Sequence, residues 1–168
     1  SLITSAPVIA QNNSLNTNWE EKEAYSHGYA RVMQQQHFSF VNESGNLIHP
    51  VEFDGARNFS NHLAAVRIKD KWGFINETGK IVIPLTNSIV FDFTADVTVT
   101  YNNKKWFLIN RAGTVIKQLD IDAFYGFKNG TAAVSKAGRN GTINTRGEIT
   151  LSNTLSGIPS LFTKPRQV

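Results

Sequence analysis

The sequence predicts an all-β protein made of four tandem 34-residue units, each a three-stranded antiparallel meander, set in an open, curved, β-solenoid-like array. Three observations predict it: a fixed period, an alternation of apolar and polar residues within each period, and turn residues that recur at the same step. The period is seen in Gly45, Gly79, Gly113 and Gly147, each 34 residues from the next, with Asn42, Asn76, Asn110 and Asn144 in step ahead of them. Aromatic Tyr25, Phe59, Phe93 and Phe127 keep the same spacing. So do Val41, Ile75, Ile109 and Ile143, and Leu47, Ile81, Val115 and Ile149.

A period of 34 residues also suits a helical hairpin repeat, so the pattern inside the unit decides. In the second copy Ala64, Val66 and Ile68 alternate with Ala65, Arg67 and Lys69. Trp72 and Phe74 alternate with Gly73 and Ile75, and Ile81, Ile83 and Leu85 alternate with Lys80, Val82 and Pro84. A period of two is that of a strand. Lys69-Asp70-Lys71 joins the first pair of strands, and Asn76-Glu77-Thr78-Gly79 joins the second pair. The Asn side chain can bond the backbone ahead of it and Gly can close the turn with positive φ, which gives the Asn-x-x-Gly spacing a physical reason to recur. A unit of this size has too small an interior to stand alone, so stability is expected to be shared between neighbours.

The four units span residues 20–155, with 1–19 as an N-terminal lead and 156–168 as a C-terminal tail. In the fourth copy Asn140 and Thr142 stand where the second has Trp72 and Phe74, which suits a terminal unit with a polar outer face. Trp19, just ahead of the first copy, is expected to cap the opposite edge. A small propeller-like closure is the alternative to the open array, and it would bring the first and fourth units together.

Composition is that of a globular chain: 168 residues, 40% hydrophobic, 18% charged, formal charge +4, no Cys. Disulfides and thiolate metal sites are thereby excluded. Basic residues are scattered rather than gathered in a stripe with aromatics, which gives no basis for a nucleic-acid partner. No apolar stretch is long enough for a membrane-spanning helix. Val8-Ile9-Ala10 before Gln11 resembles the end of a secretory signal, so the chain is expected to be extracytoplasmic (secreted, periplasmic or envelope-associated), with a cytoplasmic location as the alternative.

The run from Lys71-Trp72-Gly73-Phe74-Ile75-Asn76 through Gly79-Lys80-Ile81-Val82-Ile83-Pro84, with Phe59-Ser60-Asn61-His62-Leu63-Ala64-Ala65-Val66 ahead of it, resembles the WG-repeat (KWG-repeat) family, found mainly in bacterial proteins. The Trp-Gly pair is replaced by Phe38-Ser39, Trp106-Phe107 and Asn140-Gly141 in the other copies. The resemblance implies a β-repeat binding scaffold and no catalytic residues.

Phe38, Trp72 and Trp106 share one repeat column and are the candidate binding residues: exposed in a row they would stack sugar rings, whereas buried they would pack between units. Gly73 is expected to let another strand approach closely. His27, His37, His49 and His62 fall in four different columns with no zinc-like spacing, so no metal is expected. Asp122 aligns with Asp54 and Ser88 at the unit boundary, where a short polar side chain forms a turn, and this reading outweighs an Asp120-x-Asp122 metal motif. Asn42-Glu43-Ser44, Asn76-Glu77-Thr78 and Asn140-Gly141-Thr142 match glycosylation acceptors but coincide with or adjoin the turn columns, so no modification is assigned. The chain has neither a Gly-x-Ser-x-Gly elbow nor a phosphate-binding loop. The expectation is a non-catalytic scaffold without cofactors that binds a protein partner, with carbohydrate or cell-wall binding as the alternative.

Overall fold

The computed structural model describes residues 18–153, which form fifteen strands in four antiparallel sheets and no helix. Most of the lead and the whole tail lie outside the described residues. The first sheet contains β1 (Glu21–Lys22), β2 (Tyr29–Gln34) and β3 (His37–Asn42). The second contains β4 (Gly55–Ala56), β5 (Leu63–Ile68), β6 (Lys71–Asn76) and β7 (Ile81–Asn87). The third contains β8 (Ile89–Val90), β9 (Val97–Asn102), β10 (Lys105–Asn110) and β11 (Val115–Leu119). The fourth contains β12 (Ala123–Lys128), β13 (Thr131–Lys136), β14 (Arg139–Asn144) and β15 (Ile149–Leu151). Strand order follows chain order in every sheet.

The meander read from the sequence is β5-β6-β7 and its equivalents, and each sheet carries in addition a strand ahead of it, two residues long in the first three sheets and six in the fourth. In the first sheet the last strand of the meander is reduced to the bridges Val41–Leu47 and Phe38–Phe53. The last strand of one sheet runs almost directly into the first strand of the next. Asn87 pairs with Trp72 in the second sheet, and two residues later Ile89 pairs with Tyr101 in the third. This continuity ties neighbouring units through the backbone itself.

Two hairpins recur in each unit. Ser26 and Tyr29 exchange backbone bonds of 2.8 and 3.1 Å around His27 and Gly28, both with positive φ. Ser60–Leu63 repeats the pattern around Asn61 and His62, and Thr94–Val97 repeats the exchange of bonds with positive φ at Ala95 alone. Two central residues with positive φ are the mark of the tight hairpin whose twist matches that of the strands. The second hairpin, between β2 and β3, places Gln35 and Gln36 in the same conformation, as Asn103–Lys104 and Ala137–Gly138 are in later units. The Asn-x-x-Gly turns form as expected: Oδ1 of Asn76 accepts from the amides of Thr78 and Lys80, and Asn110 and Asn144 do the same in their turns.

The core lies between sheets, one cluster per junction. Phe40 of the first sheet meets Phe59 of the second edge-on at 5.0 Å, and one period later Phe74 meets Phe93 at 5.1 Å with the same geometry. Leu108 and Phe127 occupy the corresponding cluster between the third and fourth sheets. Each unit therefore inserts its leading aromatic into the preceding unit, and equivalent residues have like surroundings. Sustained contacts between sheets join first to second, second to third and third to fourth, so the array is open. Trp19 packs on Ala30, Val32 and Val41, the face of the first sheet turned away from the second.

Candidate functional site

The aromatic column is absorbed into the packing, and each member is covered in its own way. The Arg31 guanidinium lies 4.9 Å from the Phe38 ring centre and donates to Ala56 O of the next unit. Trp72 is flanked by Arg57 at 5.1 Å and Arg67 at 5.6 Å, and Arg57 donates onward to Val90 O at 2.8 Å. Trp106 is buried against Tyr101, Phe91 and Phe124, with its Nε1 donating to Asp122 O at 3.3 Å. Phe38 and Trp72 are only partly buried, but their faces are occupied by guanidinium groups, of which those of Arg31 and Arg57 also bridge units. The structure therefore does not offer these three rings as an exposed row.

Gly73 explains the Trp-Gly pair. A methyl group built on it would collide with the Ile83 carbonyl of β7, so the missing side chain admits the bulged last strand. Ser39 occupies the equivalent position in the first unit and donates to His49 O at 2.6 Å. In the third unit Phe107 stands there, and β11 pairs in step along Trp106–Leu119, Phe107–Gln118 and Leu108–Lys117.

The polar candidates are tied into turns and junctions. Asp122 accepts from the Ala137 amide at 2.6 Å, and Asp54 accepts from the Lys69 amide at the equivalent place, so both boundary carboxylates hold the following hairpin. Asp120 pairs with Lys136. His49 bonds Gly79 O and Glu52, His62 bonds Glu77, His37 faces Asp54 and His27 bonds Ser26. Among the described residues no three His, Asp or Glu side chains converge in a metal-like cluster. Arg146 and Asn144, bonded to Glu148, hold its carboxyl below the usual carboxylate range. Burial, with Glu77 and Glu43 nearby, raises the Tyr29 hydroxyl above the ordinary tyrosine value.

Three of the four members of one repeat column are left without a structural task that explains their chemistry. Leu47, Ile81 and Val115, at the start of the last strand in successive units, are 43%, 39% and 52% exposed, whereas Ile149 in the fourth unit packs partly buried on the core between the third and fourth sheets. Their cross-strand partners Val41, Ile75 and Ile109 are buried. The sequence pattern placed Ile81 with Ile83 and Leu85 on one strand face, yet only Ile83 of the three is fully buried. Nothing in the alternation separates a core aliphatic from one at the rim of the sheet. What the sequence did hold was the combination of strict recurrence with a place right after the turn, where the strand is still at the surface.

Fold and site together define a repeat protein with an all-β, blade-like array and an exposed aliphatic rim. The WG-containing repeat model matches residues 38–72, 72–106 and 106–139 in succession, and the chain belongs to this family. No curated protein matches it significantly. Among solved structures the chain is similar to Kluyveromyces lactis Hsv2 with loop 6CD replaced by a Gly-Ser linker, at TM-score 0.55 and 9% identity over 76% of this chain and 50% of that one. Hsv2 with its complete loop 6CD gives TM-score 0.50 and 10% identity over 74% and 46%. The chain thus spans about half the length of the Hsv2 chains, and identity this low speaks for a shared fold alone.

Proposed function

We propose that the array is a non-catalytic scaffold that binds a protein partner, and that it works outside the cytoplasm, in a bacterial cell envelope. The observation that carries the binding reading is the exposed Leu47, Ile81 and Val115 column. A side chain that recurs in kind without being needed for burial is best accounted for by contact with something else, and aliphatic groups set at one per unit suit an extended protein surface. The covering of Phe38, Trp72 and Trp106 by arginines and neighbouring rings counts against a sugar-stacking row. The location rests on Val8-Ile9-Ala10 ahead of Gln11.

The test is affinity capture from envelope extract beside a polysaccharide pull-down, with wild type and a Leu47→Glu/Ile81→Glu double variant. Capture of a protein by the wild type and its loss from the variant, with thermal stability retained, is the expected result. Retention on polysaccharide, or protein capture indifferent to the two substitutions, would overturn the reading.

A further inference from the structure

We propose that the junction between the first and second units is proton-dependent, closed by charged histidines at places where later junctions use lysines. The repeat columns carry the comparison. Lys117 of the third unit donates to Gly147 O of the fourth at 2.8 Å, and His49, two periods earlier in the same column, meets Gly79 O of the second unit at 2.7 Å. Lys71 of the second unit reaches Ser88 Oγ of the third at 3.4 Å, and His37, one period earlier, faces Asp54 of the second unit at 3.4 Å. Lys105 and Arg139 continue the column of His37. Lysine keeps its charge at neutral pH, whereas histidine changes charge between about pH 5 and 8.

The surroundings of His49 call for that charge. Its side chain is 14% exposed, its ring stacks on Phe53 with centres 4.7 Å apart, and each nitrogen has an acceptor at 2.7 Å, Gly79 O at Nδ1 and Glu52 Oε1 at Nε2. A carbonyl and an ionised carboxylate can only accept. An imidazolium serves both, and a neutral ring has one N–H for the two. Ionised Glu52 makes the stronger bond and keeps that N–H. Loss of the proton therefore turns a nitrogen lone pair towards Gly79 O and opens the contact between units. His37 repeats the arrangement at a second point of the junction, with Gln35 O 2.9 Å from Nδ1 and Asp54 beyond Nε2, but it is more exposed and contributes less.

The other charged groups on the segments around the two rings have their own tasks. Glu77, on the turn that supplies Gly79, is bonded to His62 within the second unit, and the neighbouring Lys80 is exposed. Arg67 donates to Asp54 O, and the Lys69 amide donates to Asp54 Oδ2. Closing the junction thus takes up protons, so it holds best on the acid side of the histidine range and loosens as pH rises through it. Leu47 lies two residues ahead of His49, and the same junction sets the place of this first member of the exposed aliphatic column. The inference stands whatever the array binds.

The test is amide exchange on the full chain between about pH 5.5 and 8. It is read as the protection of β2 and β3 relative to β13 and β14, whose unit holds no histidine. Relative protection of the first unit should fall by about five-fold over this range, the size of one hydrogen bond. The His37→Lys/His49→Lys double variant, which copies Lys71 and Lys117, should show no such fall. Glu52→Gln removes the ionised competitor and leaves the N–H of the neutral ring to Gly79 O. That variant should keep its protection and lose less than about two-fold, the share of the exposed His37 pair. Relative protection that stays flat in wild type, or that falls as steeply in either variant, overturns the proposal.

Discussion

Gly79 shows how one residue serves two purposes that a sequence column records as one. It has φ +77°, which an L side chain adopts at a cost of about 1–2 kcal/mol. A methyl group there would also run into the Ile48 carbonyl of the preceding unit, a clash that adds about 1–3 kcal/mol. Gly28 has φ +83° with open space around the missing side chain. Gly79→Ala is therefore expected to destabilise by about 3 kcal/mol and Gly28→Ala by about 1–2 kcal/mol, read from urea midpoints at unchanged slope. Equal losses would mean that the junction contact is unimportant. The turn one period on from Gly113 makes a prediction about pH. Because Glu148 titrates below its unfolded value, its favourable bonds to Arg146 and Asn144 are fully present near neutral pH and are lost as acid carries the pH down through the folded pKa. An NMR titration should place its midpoint below the ordinary carboxylate range, and Arg146→Ala should move it up. A midpoint unchanged by that substitution would show that the pair does not form in solution.

At the scale of elements, the meander was legible because β5, β6 and β7 run for six or seven residues, long enough for a period of two to be seen. β4 and β8 are two residues each, and no alternation can be read from two residues. They exist because the preceding strand delivers the chain to the next sheet, a tertiary cause invisible in local pattern. The two-residue hairpin at Asn61–His62 is hard to see in local pattern for a related reason: His is not the Gly that announces such a turn. The candidate site was legible only in part. The column of Phe38, Trp72 and Trp106 was recognised, but its cover comes from Arg31, Arg57, Arg67 and Tyr101, of which only Arg67 and Tyr101 share a column, and those two are unlike in chemistry. The junction between elements gives a sharp comparison. Phe74 is buried between the second and third sheets against Phe93, whereas Tyr25 belongs to the column of Phe93 but lies on the first unit and is 43% exposed. Phe74→Ala should cost about 3–5 kcal/mol. Tyr25→Ala should cost about 1 kcal/mol, through its bond to Asn42 O and the contact with Lys22. Comparable losses at the two sites, measured by denaturant unfolding, would show that the first unit is covered by something equivalent to a preceding unit.

At the scale of the whole molecule, an array that repeats one junction must manage two ends, and the two are managed differently. At the first sheet Trp19 closes over Ala30, Val32 and Val41, an apolar face covered by an apolar ring. At the fourth sheet the outward positions have changed chemistry: exposed Thr131, Ala133 and Thr142 stand where the second unit has Leu63, Ala65 and Phe74. The inward positions Ala132, Val134 and Ile143 remain apolar and buried, so the exchange is confined to the face that would receive another unit. Polar outer faces on terminal repeats prevent the junction from propagating between molecules. Thr142→Phe restores the residue type of Phe40 and Phe74 on this open face and pairs it with Ala133 and Thr150 across the sheet. Among the described residues an exposed Phe there has no neighbouring unit to enter, so it adds about 150–250 Å² of side chain to the surface without adding stability. Unfolding midpoints should therefore stay within about 0.5 kcal/mol of wild type, while sedimentation should show concentration-dependent self-association stronger than that of wild type. Stabilisation of the monomer would mean that part of the chain already folds over the fourth sheet. An unchanged monomer at high concentration would mean that Thr142 is not what keeps this end from pairing.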